Sequence, residues 1–427
     1  MKPMSTPVMQ ETSAKPLDSA WVRAQFPSLQ LMINGHPAAF LDGPAGTQVP
    51  KQVMEAIHNY FLHSNANTCG AFLTSQRNDA MIASARAAMA DFLHCDKDEV
   101  VFGQNMTTIT FALARAIGRE LKPGDEIVVT TLDHDANVSP WRVLEEKGVV
   151  IRQVDIREVD CTLDLDDLKR KITAKTKLVA VGYASNAVGT INPVAEITKL
   201  AHDAGALMFI DAVHYAPHGP IDVRALDCDF LVCSPYKFFG PHMGALYGKR
   251  EQLLRFKPYK VRPATELLPD RWETGTQVQE LIAGIEAAVN YLAELGRRHE
   301  PSATDRRSAL LASYRATMQH ERNLLTRLIA GLLQIPGLKF FGITAPQQFG
   351  ERCSTVSVRI GNHNPTAIAK FLGDRGIFTW DGNYYALNLT ERLGVEQHGG
   401  LLRIGLVHYN TSEEVERLLA ALREFVR

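Results

Sequence analysis

Polar residues capable of chemistry directly follow five apolar segments of strand-like composition. Their sequences are FGQNMTT (102–108), LDHDANVSPW (132–141), YASNAVGT (183–190), IDAVHY (210–215) and CSPYKFFGP (233–241). Ligands of open α/β sheets bind beyond the carboxyl ends of the strands. We therefore expect these five segments to meet around one binding site.

Asp211 and Lys237 indicate the chemistry of that site. Asp211 follows the apolar residues LMFI, where a carboxylate needs a cation or several hydrogen-bond donors. Lys237 lies just beyond the next apolar segment, DFLVC. Pyridoxal 5'-phosphate requires such a pair, because the lysine forms a Schiff base with the cofactor and the carboxylate keeps the pyridine nitrogen protonated. Together the two residues predict this cofactor.

The other segments admit both a functional and a structural interpretation. Met106 and Thr107 stand at a predicted helix N-terminus, which suits a phosphate group, although a simple N-cap explains the same residues. His134 follows the strand EIVVTT, where a single histidine is often structural. Asn186 follows the strand KLVAVGYAS, where it is typical of a turn before Gly189.

Composition and motifs exclude several classes of protein. The chain has 46 Lys and Arg against 47 Asp and Glu, and it has no basic run, which argues against nucleic-acid binding. Dinucleotide, P-loop, zinc-protease and serine-hydrolase motifs are missing. No apolar run is long enough to cross a membrane, and six cysteines without a CxxC pair favour reduced thiols. We expect a cytoplasmic protein with no membrane contact and no metal site.

The elements that must position these residues alternate between strand and helix. Seven short apolar segments, namely EVVFG, EIVVTT, VVIRQVDI, KLVAVGYAS, LMFIDAV, DFLVCS and GALYG, predict an α/β fold with a mostly parallel, doubly wound sheet. We predict a mobile arm over 1–20, a large domain over 21–295 and a smaller α+β domain over 296–427. The polar sequence GRRHEPSATDRRS marks their boundary, and the last helix is predicted to begin with a capping Ser412.

The order of several motifs from Phe40 onward resembles one known family. These motifs are FLDGPAGT, DHDANVSPW, SNAVGTINPVAEI, PHGPIDVRALDCDF, YKFFGPHMGALYG, WETGT and VHYNTSEEV. The chain is similar to the fold-type I enzymes of the class V aminotransferase group, and among them to cysteine desulfurases of the NifS and SufS kind. The resemblance implies a large domain with a seven-stranded, mostly parallel sheet, a smaller C-terminal domain, and pyridoxal 5'-phosphate as cofactor. It also implies a small amino-acid substrate and a homodimer with shared active sites.

The resemblance also assigns roles to single residues. It implies that Lys237 holds the cofactor, Asp211 pairs with the pyridine nitrogen, His134 stacks on the ring and Asn186 lies near its O3' oxygen. The phosphate site would contain Met106, Thr107 and Ser234, with Thr276 contributed to the neighbouring subunit. Arg403 would bind the substrate carboxylate. His214 and Tyr236 stand at cofactor-contacting positions where the family usually has Gln and His.

The loop GIFTWDGNYYA (376–386) departs from the desulfurase pattern GIxxRTGHHCA. Tyr385 replaces the cysteine that becomes a persulfide, Trp380 replaces an arginine and Asn383 replaces a histidine. We expect Trp380 and Asn383, with Arg403, to contact the substrate.

These differences predict a lyase that acts through an external aldimine and a quinonoid, most simply by β-elimination from cysteine or a conjugate of it without a persulfide. Lys237 would be the general base, and Tyr385 or His214 the proton donor. Decarboxylative aldol addition using aspartate, transamination and a non-catalytic scaffold are the alternatives.

Overall fold

The structure is a computed structural model that describes residues 15–427. The predicted N-terminal arm therefore lies mostly outside the described residues. Helix α1 begins at Ser19, inside the last part of that arm, because the Asp18 side chain accepts a hydrogen bond from Trp21 N at 3.0 Å and caps the helix.

The α-helices alternate with strands through most of the chain. They are α1 (Ser19–Ala24), α2 (Lys51–His63), α3 (Leu73–Leu93), α4 (Met106–Ile117), α5 (Ser139–Arg142), α6 (Leu165–Lys171), α7 (Val194–Asp203), α8 (Val223–Leu226), α9 (Arg250–Arg255), α10 (Gln279–His299), α11 (Arg306–Leu332), α12 (Pro365–Gly373), α13 (Leu387–Arg392) and α14 (Ser412–Phe425). The strands are β1 (Met32–Ile33), β2 (His36–Pro37), β3 (Ala39–Phe40), β4 (Val100–Gly103), β5 (Glu126–Thr130), β6 (Val150–Val154), β7 (Ile156–Arg157), β8 (Thr162–Leu163), β9 (Thr176–Gly182), β10 (Leu207–Asp211), β11 (Phe230–Cys233), β12 (Gly244–Gly248), β13 (Leu338–Phe341), β14 (Thr355–Ile360), β15 (Ile377–Phe378), β16 (Trp380–Gly382) and β17 (Leu401–Gly405).

A seven-stranded sheet in the order β4-β12-β11-β10-β9-β5-β6 forms the centre of the large unit. Its strands are the seven that the sequence predicts, and only β12 runs antiparallel to its neighbours. Apolar cores cover both faces, since Leu231 and Cys233 of β11 belong to one core and Phe230 and Val232 to another. The prediction of a mostly parallel α/β sheet is confirmed.

This strand order brings the predicted site segments to one edge of the sheet. The strands β4, β5, β9, β10 and β11 run in the same direction, so their carboxyl ends lie side by side. Helix α4 begins immediately beyond β4, and short helical turns follow β5 and β11. The segments 102–108, 132–141, 183–190, 210–215 and 233–241 all begin at this edge.

The smaller unit is a four-stranded antiparallel sheet, β13-β14-β17-β16, packed against α11, α12 and α14. Chain from the N-terminal side also belongs to it, because β3 pairs with β15, and Ala39 and Leu41 lie in the same apolar core. Helix α11 links the two units, since its first half packs in the core of the large unit and its second half in that of the small unit.

Two predicted boundaries differ from the structure. The division at 295/296 falls inside α10, which continues to His299, and α11 begins only seven residues later. The two helices pack closely at Gly296, where an added Cβ would lie 1.8 Å from Ala309 O. The cap of α14 is Thr411 and not Ser412, since Thr411 and Glu414 form a reciprocal capping box.

Within the described residues, no helix combines the length and the apolar character needed to cross a membrane.

Candidate active site

A cavity opens at the carboxyl edge of the large sheet, between the ends of β4, β5, β9, β10 and β11. Nine of the residues that the sequence predicts to bind the cofactor line this cavity, namely Met106, Thr107, His134, Asn186, Asp211, His214, Ser234, Tyr236 and Lys237. The strand ends bring them together from more than 130 residues of sequence.

Lys237 ends the short helical turn Pro235–Lys237 that follows β11. Its Nζ donates hydrogen bonds to Pro44 O and, at 2.9 Å, to Ala45 O, and it lies 4.8 Å from the centre of the Tyr236 ring. Burial, reinforced by the positive charge of Arg403, lowers the pKa of Lys237 from 10.5 to about 7. A substantial fraction of this amine is therefore neutral and nucleophilic near pH 7.

Two buried carboxylates lie below the cavity. Asp211 is the last residue of β10, is 8% exposed and accepts a hydrogen bond from Val213 N at 2.9 Å. Asp133 accepts one from Gly182 N at 2.7 Å, an approach that only glycine allows, because a Cβ on Gly182 would lie 2.5 Å from Asp133 Oδ1. Burial raises the pKa of Asp211 to about 6, and burial together with Asp211 raises that of Asp133 to about 8. Asp211 is therefore the main source of negative charge on the cavity floor at neutral pH, and its carboxylate forms no ion pair within residues 15–427.

The N-terminus of α4 forms another wall. Asn105 caps the helix by accepting a hydrogen bond from Thr108 N at 2.8 Å, so the structural interpretation of this segment is correct. The functional interpretation is compatible with it, since Met106 and Thr107 in the first turn line the cavity. The helix packs tightly on β12, where a Cβ on Gly244 would lie 2.8 Å from Met106 N. A helix N-terminus held in this way suits a phosphate group.

The loop that contains Tyr385 covers one side of the cavity. The Tyr385 ring stacks on His134 with centroids 5.4 Å apart and planes at 21°. The loop is attached through main-chain oxygens, because Asp135 N donates to Tyr385 O at 2.7 Å and Asn186 Nδ2 donates to Tyr384 O at 2.9 Å. His134 is held by a hydrogen bond from Ala136 N to its Nδ1, and burial lowers its pKa to about 4, so its ring is neutral.

Arg403 lies in the central strand β17 of the small sheet and is 4% exposed. Its guanidinium donates to Asn186 O at 2.8 Å and lies 4.2 Å from the centre of the Tyr384 ring, while its buried Nε has no hydrogen-bond partner among the described residues. Asp42 and Lys237 are its charged neighbours. A fixed arginine with an unused donor is suited to bind a carboxylate.

His214 is 4% exposed and faces the cavity from below. Burial lowers its pKa well below 6.5, so the ring is neutral at physiological pH. Its Nε2 is buried, with no hydrogen-bond partner in the described part of the chain.

Five predicted site residues lie outside the cavity lining, and two of them, Arg403 and Tyr385, contact the lining residues Asn186 and His134. Thr276 is exposed and borders a separate groove with Glu273. Trp380 is 49% exposed and pairs with Arg403 across β16 and β17. Asn383 is engaged within its own loop, since its side chain donates to Glu396 and accepts from Tyr385 N. Their predicted roles in binding stay predictions.

Sequence reasoning overlooked three residues of the site. Asp133 and Asn105 belong to segments that the sequence analysis identifies, but each precedes a residue to which a role was assigned instead, namely His134 and Met106. Asp42 is contributed by the motif FLDGPAGT, and its buried Oδ1 has no partner among the described residues. Burial raises the pKa of Asp42 to about 6, against the opposing effect of Arg403 and Lys237.

The residues present fit pyridoxal 5'-phosphate. They supply a lysine with a lowered pKa, a buried carboxylate that could pair with the pyridine nitrogen, a neutral histidine that could stack on the ring, and a helix N-terminus that could hold the phosphate. The fold and the site therefore define a fold-type I enzyme that depends on this cofactor.

Comparisons with known proteins identify the family. The family model described as aminotransferase class-V matches residues 39–418. A cysteine desulfurase of Dickeya dadantii is 32% identical over 423 residues, which cover 95% of this chain and 96% of the relative. A probable cysteine desulfurase of Synechocystis sp. is 33% identical over 425 residues, 96% of each chain. The apo structure of a cysteine desulfurase from Thermococcus onnurineus NA1 has a TM-score of 0.85 and 28% identity and covers 97% of this chain and 99% of that one.

The chain belongs to the class V aminotransferase family of pyridoxal 5'-phosphate-dependent enzymes, and within it the chain is similar to cysteine desulfurases.

Proposed function

We propose that this enzyme cleaves the C–S bond of cysteine or a cysteine conjugate by β-elimination. Cysteine and water would give pyruvate, ammonia and sulfide, and no sulfur would remain on the protein. The observation that supports this proposal is the side chain at the cavity loop: Tyr385 stacks on His134, and the segment 376–386 contains no cysteine. A phenol cannot accept sulfur as a thiolate does.

The cysteines near the site do not supply the missing thiolate. Cys353 and Cys233 are both buried, and burial raises the pKa of each thiol far above the ordinary value, so both are protonated at neutral pH. A protonated, buried thiol is a poor nucleophile.

The bound cofactor supplies an electron sink for the negative charge that develops when the substrate loses its Cα proton. Lys237 would hold the cofactor covalently and, once released from it, would accept the Cα proton, a task suited to an amine with a pKa of about 7. Asp211 would pair with the pyridine nitrogen, and the first turn of α4 with Ser234 would hold the phosphate. Arg403 would fix the substrate carboxylate through its unused donor.

The proton that the departing sulfur needs would come from Tyr385. His214 is the other candidate donor from the sequence, but its lowered pKa leaves it neutral and so without an acidic proton to give at pH 7. Tyr385 is 73% exposed and stacks on the ring of His134, which lines the cavity.

We also propose a homodimer with shared sites. Exposed apolar side chains support it, namely Phe61, Leu62, Phe72 and Leu73, each more than half exposed. The exposed position of Thr276, away from the cavity of its own chain, is consistent with a contribution to the partner's phosphate site. Mixing Lys237→Ala with Thr276→Arg chains should restore activity that neither variant has, because one composite site would be intact.

The free state of all six thiols supports location in a reducing compartment such as the cytoplasm.

The decisive experiment follows the products of cysteine turnover by mass spectrometry. We expect pyruvate, ammonia and sulfide in equal amounts, without alanine and without a protein persulfide. Tyr385→Phe should reduce turnover by about 10²-fold, the usual size of general acid catalysis, with unchanged absorbance of the bound cofactor. Tyr259→Phe, at an exposed tyrosine away from the cavity, is the matched control.

Stoichiometric alanine with a persulfide would refute the proposal in favour of a desulfurase. Carbon dioxide release from aspartate, with no reaction of sulfur substrates, would indicate the aldol-type alternative. Amino-group transfer to a 2-oxo acid would indicate an aminotransferase.

A further inference from the structure

His214, His218 and Cys353 converge behind the cofactor cavity. The two histidines lie in the turn after β10, and Cys353 lies just before β14 of the small sheet. One ligand atom from each of the three lies within 4.8 Å of the others, and the residues are 4%, 6% and 3% exposed. Two imidazoles and one thiol are the ligand types that Zn²⁺ prefers.

The hydrogen bonds around the cluster leave one ring nitrogen of each histidine available. His214 Nε2 is buried and unpartnered within the described chain. His218 uses its Nδ1 in a 2.7 Å hydrogen bond with Glu321 Oε2, which leaves Nε2 for a metal. Ser354 Oγ donates to the same Glu321 oxygen at 2.6 Å and so fixes the carboxylate. A carboxylate that orients a histidine in this way is the common outer shell of protein zinc sites.

The charges of the cluster also favour a cation. Glu321 is buried, and its Oε1 has no hydrogen-bond partner among the described residues. A carboxylate and a thiol that can ionise when it binds a metal supply groups that pair well with one divalent cation.

A route to the cluster exists. His218, Glu321 and Cys353 line a cavity of about 380 Å³ that lies between the two units and is separate from the cofactor cavity. This space would admit the ion and a water molecule as fourth ligand. A site with three protein ligands and one water is a frequent zinc geometry.

We propose that His214, His218 and Cys353 bind one Zn²⁺ ion, with Glu321 as the positioning residue of His218. Binding forms two Zn–N bonds and one Zn–S bond, and the thiol proton of Cys353 leaves to solvent, with no change of oxidation state. The ligand atoms must approach to roughly 3.5 Å of one another at ordinary zinc distances, so small side-chain rotations accompany binding. The site does not depend on the proposed lyase reaction.

The test uses the purified enzyme with its cofactor, stripped of metal by a chelator and then titrated with Co²⁺ and, separately, with Zn²⁺. We expect one ion per chain, a thiolate-to-cobalt charge-transfer band, and visible bands of tetrahedral Co²⁺. Cys353→Ser should abolish the thiolate band and the stoichiometric binding of zinc. Glu321→Gln should lower the affinity for zinc by about 10- to 100-fold while the thiolate-to-cobalt band is retained. Cys161→Ser, at another buried cysteine outside the cluster, should bind as the wild type does.

The cobalt spectrum of the wild type decides the proposal even if a variant fails to fold. The proposal would be overturned if the thiolate band were absent, or if the protein bound clearly less than one ion per chain. Retention of the band in folded Cys353→Ser would overturn it as well, because the thiolate would then come from another cysteine.

Discussion

Replacing Asp211 with asparagine tests how the large sheet controls the cofactor. Asp211 is 8% exposed at the end of β10, and burial raises its pKa from 3.8 to about 6. That difference corresponds to ~3 kcal/mol of cost for the buried charge, which a protonated pyridine nitrogen would offset. Asparagine has the same shape but no charge, so the attraction for the protonated ring would be lost.

We expect Asp211→Asn to reduce turnover by about 10²-fold or more, since ~3 kcal/mol corresponds to roughly two powers of ten in rate. Steady-state kinetics with saturating cofactor measures the loss, and absorbance and circular dichroism show whether the cofactor is still bound. Asp229→Asn is the matched control, because Asp229 is 3% exposed at the opposite end of β11 and is bonded to His202 and to Met208 N. It should lower stability and leave the turnover of the folded enzyme nearly unchanged.

A loss of less than tenfold in Asp211→Asn, with full cofactor occupancy, would contradict the assigned role. The same conclusion would follow if both variants lost activity to the same extent, because the effect would then be one of buried charge in general.

Three further predictions concern the lysine, the arginine and the packing below the cavity. The rate at which cofactor-free protein binds pyridoxal 5'-phosphate, followed by stopped-flow absorbance, should rise with pH and level off above about pH 7, because only the neutral amine of Lys237 reacts. If the midpoint of this pH dependence lay near pH 10, it would contradict the lowered pKa of Lys237. Arg403→Ala should raise KM at least tenfold, since a buried charged hydrogen bond is worth about 2–5 kcal/mol, with the absorbance of the bound cofactor unchanged; an unchanged KM would exclude Arg403 as the carboxylate ligand. Gly182→Ala should lower the free energy of unfolding by about 1–3 kcal/mol in urea denaturation, because its Cβ would lie 2.5 Å from Asp133 Oδ1. The control Gly275→Ala places its Cβ in open space and should change the free energy of unfolding little. Equal losses in the two variants would show that the close approach is unimportant.

The sequence predicted the central sheet and most of the cavity lining for one physical reason. Each of the lining residues stands within a few positions of a buried apolar strand, and parallel strands end at the same edge of a sheet. Lys237 and Asp211 could thus be placed together without knowledge of the strand order.

What the sequence could not predict depends on contacts between distant segments. Asp42 reaches the site from a segment that pairs with Gly405 of β17 in the small sheet, and Asp133 is significant only because Gly182 of the neighbouring strand allows a close approach. The proximity of Cys353 to the two histidines arises where the small sheet meets the large one, and no spacing pattern reveals it. The start of the last helix was misplaced by one residue, because the capping box depends on the side-chain geometry of Thr411 and Glu414.

The attachment of the loop explains how the reaction could change while the cofactor site stays the same. The residues that line the cofactor cavity belong to the ends of the large sheet, whereas Tyr385 lies between β16 and α13 of the small unit. The loop is held through the main-chain oxygens of Tyr384 and Tyr385, which any side chain would provide. Both tyrosines have positive φ, 57° and 59°, a conformation that costs a residue with a Cβ of the order of 1 kcal/mol. The main-chain bonds therefore determine the loop conformation against that cost, and under the proposed function the side chain at position 385 would determine whether sulfur is captured or released.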